Sequence, residues 1–125
     1  MDNQPSKTAL RGLRDDVVVV RFFGRMLDHE TRRLSRMLQQ QIQVMGHIRL
    51  LLTIESIRPS GGSESLLEGL HFVRLHSENI DRVAVIGAKT HEKTVLGLFS
   101  LFSGVEIDYF SRAEAAHAIR WLNSP

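Results

Sequence analysis

Arg82-Val83-Ala84-Val85-Ile86-Gly87 is a short β-branched run closed by glycine, the pattern of a buried strand. Downstream, Val105-Glu106-Ile107-Asp108-Tyr109 alternates apolar and acidic residues, as a strand with one wet face does. Between the two, Thr90 offers an N-cap for a helix running to about Phe102, and Gly104 ends it. After them, Ser111 and Glu114 form a capping box for a last helix through Trp121 and Leu122. A strand, a helix and a second strand in this order predict a parallel pair, because the helix carries the chain back across the sheet.

The same alternation of elements extends upstream. Ile48 to Ile54 is mostly apolar and reads as a strand covered on both faces. Ser56-Ile57-Arg58-Pro59-Ser60-Gly61-Gly62 is a loop by composition. Ser65 and Glu68 then cap a helix whose apolar side is Leu66, Leu67, Leu70 and Val73. Before the Ile48 strand, Asp28 starts a helix with Leu34, Met37, Leu38, Ile42 and Met45 at helical spacing, and Gly46 stops it. Val17-Val18-Val19-Val20 reads as a buried strand. Thr8 to Leu13 reads as a first strand, joined to it by a turn at Asp15-Asp16. The expected order is ββαβαβαβα: a mixed, mostly parallel sheet of about five strands with an antiparallel edge and four helices. Residues 1–7 read as a frayed polar tail and residues 8–125 as one domain.

Composition narrows the chemistry. The chain has 125 residues, 42% hydrophobic and 24% charged, which is globular usage. It contains no cysteine, which excludes disulfides, thiolate-bound metal and cysteine nucleophiles. It has no run of 18 apolar residues, and Met1-Asp2-Asn3-Gln4-Pro5 lacks a signal peptide's apolar stretch. The default location is therefore cytoplasmic. Sixteen basic residues face fourteen acidic ones, a weak footprint for nucleic acid. The densest basic group, Arg32, Arg33 and Arg36, reads as a solvated helix face, or as a contact for an acidic partner or an anionic lipid surface.

At residues 82–122 the chain resembles the SpoIIAA-like family, bacterial relatives of STAS domains that are also compared with the CRAL-TRIO lipid-binding fold. The residues that carry this are Arg82 to Gly87, the Leu- and Phe-rich helix, Val105 to Phe110, and the helix ending Ala118-Ile119-Arg120-Trp121-Leu122. Val20-Arg21-Phe22-Phe23-Gly24-Arg25-Met26-Leu27 is similar to the family's strand followed by Gly-x-Leu. The resemblance implies binding of apolar molecules or association with membranes, without catalysis. Sporulation-type STAS regulators carry a phosphorylatable serine in an Asp-Ser-Ser/Thr-Gly motif. Here that stretch reads Arg58-Pro59-Ser60-Gly61-Gly62-Ser63-Glu64-Ser65, so the motif is absent although serines are present.

Two segments stand out as candidate sites. In the helix before Gly104, Val95, Leu98, Phe99 and Phe102 share one stripe, with Leu96 and Leu101 on either side. That arc exceeds half the circumference, against roughly 100–140° for a helix packed on a sheet. The excess calls for a neighbouring helix, a second subunit, an apolar ligand or a lipid surface. Leu67 and Leu70 would form the opposite wall of a pocket. The second segment is the loop 59–65, where Ser63 and Ser65 near a helix start are candidates for an anion or phosphorylation site.

The six histidines are dispersed, with no H-E-x-x-H and no i,i+4 pair, so no metal is expected. No phosphate-binding glycine motif, nucleophile elbow or paired carboxylate stands out, so no cofactor and no catalytic residue are expected. The leading expectation is a non-enzymatic binding protein for a non-polar, lipid-like molecule, with peripheral contact at the inner membrane face. The alternative is a STAS-type regulatory protein-interaction module of the anti-sigma antagonist kind. A homodimer is a further partner compatible with the wide stripe, and nucleic acid is not expected.

Overall fold

The computed structural model describes residues 13–22, 28–54, 73–100 and 105–125. Strand β1 (Val17–Phe22) leads to helix α1 (Asp28–Met45), and β2 (Ile48–Ile54) follows. Residues 73–75 are helical, and a 3₁₀ turn at Ser77–Asn79 opens β3 (Ile80–Ile86). Helix α2 (Glu92–Phe99), β4 (Glu106–Phe110) and helix α3 (Ala115–Asn123) complete the order. The four strands lie in chain order, β1-β2-β3-β4, and every neighbouring pair is parallel. Among the described residues no helix is long and apolar enough to cross a membrane.

The period-2 alternation of the strands sorts their side chains onto two faces. On the first face, Val18, Val20, Leu50, Leu52, Ile54, Val83, Val85 and Tyr109 meet Leu38 of α1, Val73 and Val95 of α2. Three successive connections thus put their helical segments on one side, as crossovers of a single hand must when strands are laid down in order. On the second face, Leu51, Ala84, Ile86 and Phe110 meet Ala118 and Leu122 of α3, with Leu13, Val17, Val19 and Trp121 at the margin. The central strand β2 is buried along its whole length, as its apolar composition predicts. Gly46 ends α1 at φ +83°, a backbone that only glycine adopts cheaply, and its N–H closes on Ile42 O at 2.7 Å.

The structure refines several expectations. Asp15 and Asp16 do form a turn, closed by Val17 N donating to Arg14 O at 3.1 Å. The described sheet has four strands, all parallel. Leu13 is not in a strand, and the rest of the expected first strand, like the tail 1–7, lies outside the described residues. Thr90 is not a helix N-cap. It sits inside a 3₁₀ turn, Lys89–His91, that runs into α2, and the position before that turn is Ala88. The reason is a backbone anchor. Gly87 N donates to Phe110 O at 3.0 Å and Tyr109 OH donates to Ala88 O at 2.5 Å, so β4 sets where the chain leaves β3. The capping box of Ser111 and Glu114 is present, reached through a 3₁₀ turn at Arg112–Glu114. Ser111 N donates to Glu114 Oε1 at 2.9 Å, and these bonds with Ser111 hold the Glu114 carboxyl below its ordinary pKa.

Candidate functional site

The apolar stripe of α2 is only partly within the described residues. Val95 is completely buried in the first-face core, and Leu96 is half-buried against the same cluster. Gly97 faces open space. The side chains of Leu98 and Phe99 lie outside the described residues, as do Leu101 and Phe102. Leu67, Leu70, Ser63 and Ser65 also lie outside them. The structure therefore brings Val95 and Leu96 together with the monomer's own core.

Helix α1 presents a different surface. Leu34, Leu38 and Ile42 point to the sheet, and Leu38 is wholly buried. At about 100° per residue, Arg32, Arg33, Arg36, Met37 and Gln40 fall within an arc of about 140° on the opposite side. All five are exposed, and together they line an open hollow of about 800 Å³. Arg32, Arg33 and Arg36 make no ion pair or side-chain hydrogen bond among the described residues. Val44 continues the same side and is 78% exposed. The spacing of α1's apolar residues placed Met37 on the core side, and the structure corrects this: it is 36% exposed and belongs to the outer arc. Its angular offset from Leu34 and Leu38 was the available signal.

A second hollow, of about 470 Å³, lies where Arg14, Asp15, Asp16, Met45 and His47 meet. Two of its charged groups have partners. Arg14 is forked onto Asp16, Nε to Oδ1 and Nη2 to Oδ2, each at 3.1 Å, and His47 Nδ1 stands 3.2 Å from Asp81 Oδ1.

Sequence reasoning missed the polar cluster under α3. Arg49 on β2 and Arg82 on β3 are neighbours in register, and both turn toward the second face. Arg49 Nη1 donates to Leu122 O and, at 2.5 Å, to Ser124 O. Arg82 Nη1 donates to Trp121 O at 2.8 Å, Ser124 O at 3.0 Å and Ser124 Oγ at 2.5 Å, while its Nε donates to Glu106 Oε1 at 3.3 Å. The Arg82 guanidinium also lies 5.3 Å from the Trp121 ring centre. Two cations thus sit at the negative end of the α3 dipole and take up carbonyls that the helix leaves unpaired. The cluster's work is structural. An arginine inside an otherwise apolar strand run was its trace in the sequence.

The family model described as SpoIIAA-like matches residues 17–123, from the start of β1 to the end of α3. The chain belongs to the SpoIIAA-like family. The mixed α/β fold, with its parallel sheet between helices, agrees with that membership. No curated protein and no solved structure matches the chain. For this SpoIIAA-like chain, the described surface thus offers an arginine-rich face on α1 and a hollow of mixed charge beside Arg14.

Proposed function

We propose that this chain is a non-enzymatic, STAS-type regulatory module that acts by binding another protein. The observation that carries the reading is the outer side of α1, where three exposed arginines stand unpaired among the described residues beside exposed Met37 and Val44. Membership of the SpoIIAA-like family supports the same class of role. The lipid-like ligand has less in its favour. Its case rested on an α2 stripe too broad for the scaffold, and the two stripe side chains that are described pack into the monomer's core. Ser63 and Ser65 remain the positions at which phosphate would tune such a module.

The test is cross-linking of the tagged chain in its native cells, followed by size-exclusion chromatography and native mass spectrometry. A protein partner retained at fixed stoichiometry is the expected result. A chain that emerges without a protein partner but carrying a bound lipid would reverse the order of the two readings.

A further inference from the structure

The arginines of α1 are placed against the interest of their own helix. All three lie in its N-terminal half, whereas the last turn, where the dipole favours cations, holds no basic residue. Arg32 and Arg36 are an i,i+4 like-charge pair, and Arg33 and Arg36 are i,i+3, so they repel one another on the helix surface. Arg14, by contrast, is forked onto Asp16. On α1 no described carboxylate pairs with the three arginines.

We propose that the outer face of α1 around Arg32, Arg33 and Arg36 docks an extended acidic segment of a partner protein. The proposal rests on the protein-interaction reading above and names its surface and its ligand chemistry. Guanidinium forks recognise carboxylates in a bidentate, planar way that a point-charge ammonium does not. Arg32 and Arg36, one helical turn apart, have Cβ atoms about 6 Å from each other. Alternate residues of an extended peptide are about 6.6 Å apart, so the pair suits an acid-x-acid pattern. Gln40, a turn further along, supplies an amide that can bond a peptide backbone. Met37 and Val44 provide soft apolar contact for a residue flanking the acids. A hollow with these mixed walls fits a peptide better than a flat bilayer.

The experiment is a fluorescence-anisotropy titration of the whole chain with a labelled peptide, Gly-Asp-Glu-Asp-Leu-Asp-Glu-Gly, alongside amide NMR shifts. The expected result is salt-sensitive binding with shifts concentrated at residues 32–44. Arg32→Gln and Arg36→Gln should each weaken it by about tenfold. Arg120→Gln, an exposed arginine on α3, should leave it unchanged, with circular dichroism verifying that every variant is folded. Loss of affinity in Arg120→Gln equal to that in Arg32→Gln would overturn the proposal. So would binding of the Asn/Gln version of the peptide with equal strength. Phosphatidylglycerol vesicles or oligouridylate binding through the same arginines more tightly than the peptide would reassign the face to a membrane or to RNA and overturn the proposal as well. In cells, a protein partner that still co-purifies with the Arg32→Glu/Arg36→Glu variant would overturn this surface but leave the regulatory role standing. The absence of any partner of the unmodified chain would count against the role itself.

Discussion

Arg49 is the second residue of an otherwise mostly apolar strand and is only 8% exposed, yet no carboxylate faces it among the described residues. Its charge is accommodated by the carbonyls of Leu122 and Ser124. Arg49→Met keeps most of the apolar stem but strands the Leu122 carbonyl and weakens the hold on Ser124, and is expected to cost about 1.5–3 kcal/mol in urea unfolding. Arg82 shares the Ser124 carbonyl, so the double variant Arg49→Met/Arg82→Ala is expected to depart from additivity by at least 0.5 kcal/mol or so. Gly87 is under a sharper constraint. A Cβ there would come within 2.5 Å of the Tyr109 hydroxyl, while its other neighbours stand at ordinary contact distance. Gly87→Ala should therefore lose about 1–3 kcal/mol, and Tyr109→Phe in the same chain should restore part of it in the same assay. His76 adds a pH term. Burial lowers its pKa from 6.5, and its Nε2 is buried without a partner. The folded state therefore disfavours the proton that the unfolded chain accepts. Stability is expected to decline as pH falls from 6.5 toward the lower folded-state pKa. His76→Leu should flatten that decline when unfolding midpoints at pH 7.5 and pH 5.5 are compared.

Among the elements, β4 shows how the outer edge of the sheet is kept from pairing. Phe110 O accepts from Gly87 N, so Phe110 faces β3 and Tyr109 turns its N–H the other way. Asp108 Oδ1 accepts that N–H at 2.9 Å, and Glu106 and Asp108 keep the strand charged. Asp108→Val removes both protections and is expected to raise concentration-dependent association, read by light scattering, with little change in circular dichroism. The alternating pattern announced the strand and the exposure of Glu106 and Asp108, because period 2 is a local property. The same local reading found the capping box at Ser111 and the stop at Gly46. It failed at Thr90, where hydrogen bonds from β4 and Tyr109 set the helix start. It also failed at Arg49 and Arg82, whose partners lie in a helix far along the chain. For the candidate site, the basic triplet was visible in the sequence. Its unpaired state and its position opposite the core depend on how α1 is turned, which only the packed structure specifies.

Taken as a whole, the molecule covers its two sheet faces unequally. The first carries α1, α2 and the segment ending at Leu75, and the second, in its described part, chiefly α3. Helix α3 is therefore held by a capping box at one end, two arginines at the other, and a small apolar stripe between. Native-state hydrogen exchange is expected to show α3 opening at lower free energy than β2 and β3. Arg49→Met/Arg82→Ala should accelerate exchange in residues 115–123 well before it does so in Leu50 to Leu52. Such a result would mark α3 as a separate cooperative unit.

Strand order that copies chain order has a kinetic consequence during synthesis. Each strand leaving the ribosome finds its neighbour already in place, since β2 pairs with β1, β3 with β2 and β4 with β3. Loop closure is thus confined to one crossover at a time, and none of the described strands has to be inserted between two earlier ones. The second face must wait, because the helix that shelters Leu51, Ala84 and Ile86 follows all four described strands. Until α3 emerges, the nascent chain carries a formed sheet with one greasy side bare, and that interval is when it would most need a chaperone.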